Sequence, residues 1–226
     1  MIDAEFNLDF SRPERLGLDE AIFCAGKRGE QIEAILCAAE AETRSLLLTR
    51  LSAEQLRELK PAQRGRIDYD PVSRTGFYAW KTVGAKNSEV VVVSAGSSDM
   101  PVATEAVRTL TYYQHTAETI FDVGVAGLWR LLRHVERLSR FRVVIVVAGM
   151  DGALPSVVAG LVPGLVIAVP TSVGYGAADH GRAALHAALA SCAPGLVVCN
   201  IDNGYGAACA ALRALNAPIV GTETRS

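Results

Sequence analysis

A basic stripe, a long apolar run and regularly spaced cysteines are all missing from this chain. Its 22 basic and 24 acidic residues leave a net charge of −2, so the electrostatic footprint of a nucleic-acid partner is absent. No run approaches the roughly 18 consecutive apolar residues of a bilayer span, and the acidic opening MIDAEFNLDF differs from a basic-then-apolar signal. The expectation is a cytoplasmic protein with neither a nucleic-acid nor a membrane partner. The five cysteines, Cys24, Cys37, Cys192, Cys199 and Cys209, show no CxxC or Cys/His spacing, which argues against a disulfide framework and a structural zinc site. Histidine is equally uninformative. His115 and His134 fall in expected helices, His186 lies in an Ala-rich helix and only His180 is near a loop end, so no Ser–His–Asp or Cys–His pairing is legible. Neither GxGxxG nor GxxxxGK[ST] occurs.

What is present is apolar and regular. The 226 residues are 50% hydrophobic, ample for a buried core. Up to about residue 85 the composition is charged and mixed; from Val90 onward it is rich in Val, Ala and Gly, which puts a boundary near residues 81–89 and divides the chain into 1–85 and 86–226. In the first part, residues 20–25 and 45–50 read as short strands. Ile32, Ile35, Leu36 and Ala39 lie on one helix face, and Ser52 with Gln55 forms a capping box for a helix that Pro61 ends. In the second part, residues 90–93, 119–123, 142–147, 165–169 and 196–201 are apolar runs of strand length, each followed by a helical segment. Runs without polar alternation are expected of strands covered on both faces, hence a parallel sheet. Leu128, Leu131, Leu132, Val135 and Leu138 form one helix stripe, and Ala183, Ala184, Ala187 and Ala188 another. The fold class is α/β: a three-layer C-terminal domain with a parallel sheet, plus a small α+β N-terminal domain. The ligand crevice of such a fold lies at the carboxyl ends of the strands.

The loops there are glycine- and hydroxyl-rich. Gly96, Ser97, Ser98 and Asp99 precede Pro101 and suit a phosphate at a helix N-terminus, or else cap that helix. Asp122 is placed to meet a ribose hydroxyl or to cap. Asp151, between glycines and ahead of Ser156, is either an acid–base group made so by partial burial or a solvated turn residue. Thr171, Ser172, Gly174 and Tyr175 end the fourth strand; Asn200, Asp202 and Asn203 end the fifth, downstream of Cys192. Taken together, four such loops make a nucleotide-sized pocket.

The string VVVVSAGSSDMPVATEA with VVAGMDGALPSVVAGLVPGLVIAVP resembles the carboxyaminoimidazole ribonucleotide mutase family of purine biosynthesis, also called PurE, with a flavodoxin-like sheet. The resemblance implies that Ser97, Ser98 and Asp99 hold a mononucleotide phosphate. The position matching that family's catalytic histidine, however, is Ala153. CAGK at Cys24–Lys27, AGSSDMPVA, DVGVAG, GMDGALPSVVAGLV, PTSVGYGA, SCAPG and NIDNGYGAA together resemble the pyridinium-3,5-biscarboxylic acid mononucleotide synthases of nickel-pincer cofactor biosynthesis. Asp151 stands where that family usually carries Glu, and CAGKR where CEGKT is common. The resemblance implies a substrate, nicotinic acid adenine dinucleotide, that is carboxylated at C5 by CO2 or bicarbonate and hydrolysed to release AMP. It further implies no tightly bound cofactor, Mg²⁺ as a candidate aid to hydrolysis, and a homo-oligomer, commonly an octamer. Cys192 carries over as the nucleophile with Cys24 as competitor, Asp151 as the base with Asp202 second, and Lys27 and Arg74 as cations reaching over the pocket. The alternatives are the purine mutase and a non-catalytic nucleotide-binding protein.

Overall fold

In the computed structural model, which describes residues 6–84 and 86–217, the chain builds two sheets. The first part runs α1 (Arg12–Leu16), β1 (Ile22–Phe23), α2 (Gly29–Ala41), β2 (Leu46–Thr49), α3 (Ala53–Glu58), α4 (Pro61–Arg64), β3 (Ile67–Asp70) and β4 (Thr75–Tyr78). Its four strands lie in the order β1-β2-β4-β3, with only β1 and β2 parallel. The capping box forms as expected: Gln55 N donates to Ser52 Oγ at 3.0 Å and Ser52 N to Gln55 Oε1 at 2.9 Å. Helix α3 stops at Glu58, and Pro61 opens α4, because proline is accommodated at the first helical position. The expected junction at 81–89 includes Ala85, which lies outside the described residues.

The second part runs β5 (Lys86–Ser94), α5 (Met100–Tyr112), β6 (His115–Ile120), α6 (Leu128–Leu132), α7 (Val135–Leu138), β7 (Val143–Ala148), α8 (Ala153–Ala159), β8 (Leu165–Pro170), α9 (Arg182–Leu189), β9 (Val197–Val198) and α10 (Gly204–Asn216). The sheet is parallel throughout, in the order β6-β5-β7-β8-β9. Strand parity divides the core. Val90, Val92, Val143, Ile145, Val147, Ile167 and Val169 pack with Ala103, Ala106, Leu110, Ala207, Ala211 and Leu212 of α5 and α10 on one side. On the other side, Val91, Val93, Val144, Val146 and Val166 pack with Leu131, Leu138, Leu154 and Val158. These are the three layers expected of strands buried on both faces.

Several local expectations need correction. The second strand is 115–120 instead of 119–123, and His115 opens it rather than sitting in a helix. The fifth shrinks to Val197–Val198, as suits an edge strand with Val197 exposed. The leucine stripe breaks into α6 and α7: Leu131 and Leu138 are buried, whereas Leu128, Trp129 and Leu132 are 42–57% exposed. Among the described residues, no helix is long and apolar enough to cross a membrane.

The two parts meet along α5. Arg108 stacks 3.8 Å from the Phe77 ring centroid and donates to Asp68 O at 2.7 Å. Trp80 Nε1 donates to Tyr112 O at 2.9 Å, and Tyr112 meets Phe77 edge-on at 5.5 Å.

Candidate active site

The carboxyl ends of β5 to β8 surround a cavity of about 880 Å³. Its construction begins at the Ser97–Asp99 turn leading into α5. Asp99 is buried, and its carboxylate accepts from Gly96 N at 2.9 Å and from Thr171 Oγ1 at 2.6 Å, tying the first loop to the fourth. Desolvation raises the Asp99 pKa above the ordinary carboxylate range, against the opposing effect of the Thr171 and backbone hydrogen bonds. The third loop closes on the fourth at Gly149, where a Cβ would strike Val173 O and lie 2.5 Å from Thr171 Oγ1. Only glycine permits that approach. Asp122, Met150 and Asp202 have positive φ values of 60°, 55° and 57°. Such conformations are costly for side-chain-bearing residues and gather where a fold positions functional groups.

Of the residues expected from sequence, Gly96, Ser98, Asp99, Asp122, Asp151, Gly174 and Tyr175 line the cavity, as does Ala153. Ser97 is exposed on the same turn but outside the lining. Thr171 acts from behind, through Asp99. Asp151 is exposed, accepting only a long bond of 3.4 Å from Ala153 N, so the expected partial burial does not occur. Ser172 lies at the edge, its N–H donating to Asp202 Oδ1 at 2.8 Å.

The other expected residues lie elsewhere. Ser156 donates to Ser191 Oγ at 2.8 Å and does not line the cavity. Asn200, Asp202 and Asn203 line a separate cavity of about 400 Å³ against the N-terminal sheet, with Arg50 and Glu105, and Asn203 caps α10 through Gly206 N at 2.8 Å. Lys27 bonds Phe23 O at 2.9 Å, while Arg74 is exposed in the β3–β4 turn; neither reaches the cavity. The cation that does so is Arg130 of α6, whose Nη1 donates to Asp122 Oδ2 at 2.8 Å. Sequence reading missed it because it sits on a helix beyond the loop; its spacing eight residues after Asp122 was the available signal.

Cys192 is also displaced from its expected position. Helix α9 starts beside the cavity and, at 1.5 Å per residue, carries the chain roughly 12 Å back toward the amino ends of the strands before the exposed Cys192. Cys24 is no substitute: it is fully buried, and burial pushes its thiol up to about 12. Cys199 and Cys209 pack against the core, and burial raises both. Among the described residues, no thiol lines the cavity. Among the described residues, no group of three or more His, Cys, Asp or Glu stands close enough to hold a metal ion.

At the second cavity, Arg50 donates to Asp202 O and lies 3.5 Å from the carboxylate of Glu105, which is 4% exposed in its side chain. Desolvation raises the Glu105 pKa despite Arg50 and the N–H groups of Tyr205 and Gly204. A carboxyl group with a raised folded pKa loses stability as pH climbs from its ordinary 4.5 through the folded value. Arg50→Ala removes the counter-ion and should cost about 1.5–3 kcal/mol at pH 8 and clearly less near pH 5. Urea denaturation at the two pH values checks this; an equal loss at both would exclude Glu105 as the cause.

Comparison with known proteins follows the same division. Residues 3–81 match the model of a LarB/PurE-like N-terminal domain and residues 89–224 that of AIR carboxylase. An uncharacterized protein of Methanocaldococcus jannaschii is 36% identical over 219 residues, covering 91% of this chain and 82% of that protein. Two crystal structures of Treponema denticola PurE proteins, one a point variant, are 19% and 21% identical with TM-scores of 0.47 and 0.45, each match covering 58% of this chain and 82% of theirs. The LarB/PurE-like N-terminal domain and the PurE-like domain, joined in this order, make the chain a member of the LarB family.

Proposed function

We propose that this enzyme carboxylates the pyridinium ring of nicotinic acid adenine dinucleotide at C5 and hydrolyses its phosphoanhydride, giving pyridinium-3,5-biscarboxylic acid mononucleotide and AMP. The observation that carries this reading over the purine mutase is Ala153: it lines the cavity at the position matching the mutase histidine, where a methyl group can carry no proton. Membership of the LarB family supports the same choice.

A pyridinium is too electron-poor to attack CO2. A thiolate adding at C4 converts the ring to a dihydropyridine whose C5 is nucleophilic; C5 then bonds to CO2, its proton leaves to a base, and the C4–S bond breaks as aromaticity returns. Asp151, on the cavity wall, takes the proton. The buried Asp99–Thr171 pair holds the turn that receives the mononucleotide. The thiol belongs to Cys192, and because it lies outside the cavity of its own chain, it comes from a second copy. The exposed Leu128, Trp129 and Leu132 beside Arg130 offer an apolar surface for such packing.

Incubation of the full chain with nicotinic acid adenine dinucleotide and ¹³C-bicarbonate is expected to yield a mononucleotide carrying one labelled carboxylate, together with AMP, in mass spectra. Turnover of carboxyaminoimidazole ribonucleotide in its place would establish the mutase reading.

A further inference from the structure

The cavity presents an electrostatic problem. Its lining includes the carboxylates of Asp99, Asp122 and Asp151, and among the described residues the single cationic side chain on it is Arg130. Any nucleotide brings more negative charge to this wall. The two cations expected to receive that charge, Lys27 and Arg74, do not line it.

Arg130 is built to present its donors. Gly127, one turn earlier, lies so close that a Cβ there would stand 2.7 Å from Arg130 Nε and 3.1 Å from Nη2, so glycine leaves the guanidinium room to lie across the entry turn of α6 and a larger residue would push it aside. Asp122 holds one edge of the fork through Nη1 from a backbone at φ 60°. A guanidinium carries five N–H donors, and the bond to Asp122 uses one of them. Gly124 N donates to Ala95 O at 2.8 Å, which keeps this loop against the Gly96–Asp99 turn and puts Arg130 and the N-terminus of α5 on one wall. The planar fork suits the oxygens of a phosphate or carboxylate, both of which it can bind through two parallel bonds.

We propose that Arg130 is the anion-binding residue of the site: it receives a phosphate or ring carboxylate of the substrate, with Asp122 holding the guanidinium in place until the ligand arrives. This rests on the nucleotide reading above and names the group that determines which nucleotides the cavity accepts.

The test is calorimetric titration of the full chain as wild type, Arg130→Ala and Arg130→Lys, with nicotinic acid mononucleotide, nicotinic acid riboside, nicotinamide mononucleotide and 5-aminoimidazole ribonucleotide with its riboside. The wild type should prefer an anionic probe to its neutral counterpart, and Arg130→Ala should lower affinity for that probe at least about tenfold while leaving the counterpart within about twofold. Arg130→Lys should recover part of the loss. Loss of preference for mononucleotide over riboside assigns phosphate; loss of preference for nicotinic acid over nicotinamide mononucleotide assigns carboxylate. If only the aminoimidazole ribonucleotide binds and Arg130→Ala erases its advantage over its riboside, the pyridine reading fails while the role of Arg130 stands. An Arg130→Ala protein that keeps every wild-type preference, or a wild type that has none, overturns the proposal.

Discussion

Cys192→Ala should abolish C5 carboxylation of nicotinic acid adenine dinucleotide while leaving the cavity able to bind nucleotide. The loss should be complete within detection, because without a covalent adduct C5 never becomes nucleophilic. Since Cys192 is exposed and outside the cavity lining of its own chain, its removal should leave the melting temperature near that of the wild type. The displacement adds a second consequence. Chains carrying Cys192→Ala, inactive alone, and chains carrying Arg130→Ala, weakened in substrate binding, should show more activity at low substrate than either alone when unfolded, mixed and refolded together. For random pairing of equal amounts, about a quarter of the sites would join an intact cavity to an intact thiol from a neighbour. No recovery, with Cys192→Ala still inactive, would mean that the thiol serves its own chain after a loop movement. Full carboxylation by Cys192→Ala would remove the covalent mechanism altogether.

Gly204→Ala should be strongly destabilising although it lies outside the cavity. The first residue of α10 lies so close to α5 that a Cβ would strike Val102 O and stand 3.0 Å from Ala106 N and 3.1 Å from Glu105 Oε2. The first two are backbone atoms inside a helix and cannot swing aside. Overpacking of this kind costs roughly 3 kcal/mol, and the gain in helix propensity, at most about 1 kcal/mol, offsets only part of it. At roughly 2–4 °C per kcal/mol for a chain of this size, the melting temperature should fall by about 4–12 °C. Gly160→Ala is the control. Its φ is −81° and a Cβ would find only ordinary contacts at 3.6–3.7 Å. Calorimetric melts that shift equally for the two variants would refute the steric argument.

The legible parts of the fold were those with a single periodicity. Strands such as Val143–Ala148 are buried throughout, and a continuous apolar run is the direct imprint of that environment. Strand β6 was misplaced because four of the six residues of HTAETI are polar and only its ends are buried. Edge strand β9 was overlong because an apolar run shows the capacity to pair, not the presence of a partner. Among site residues, the loops at the carboxyl ends follow from topology and glycine content, and Asp99, Asp122 and Asp151 line one cavity there. Long-range contacts were not: nothing in the sequence tells that Asp99 meets Thr171 72 positions away, or that Arg50 meets Asp202 152 positions away. The position of Cys192 was available in principle. A helix following a parallel strand returns the chain to the opposite end of the sheet, so a residue just past α9 belongs at the amino ends.

The contact along α5 also bears on whether the parallel-sheet half could stand alone. Glu105 is buried against Arg50 and the first N–H groups of α10, and Tyr112 is covered by Phe77. Without the N-terminal sheet, Glu105 would lose its counter-ion and Tyr112 would turn an aromatic ring to water. The parallel-sheet half without its partner would therefore present both groups to solvent on one helix face. A chimera that exchanged either half without matching these contacts on α5 would inherit the mismatch.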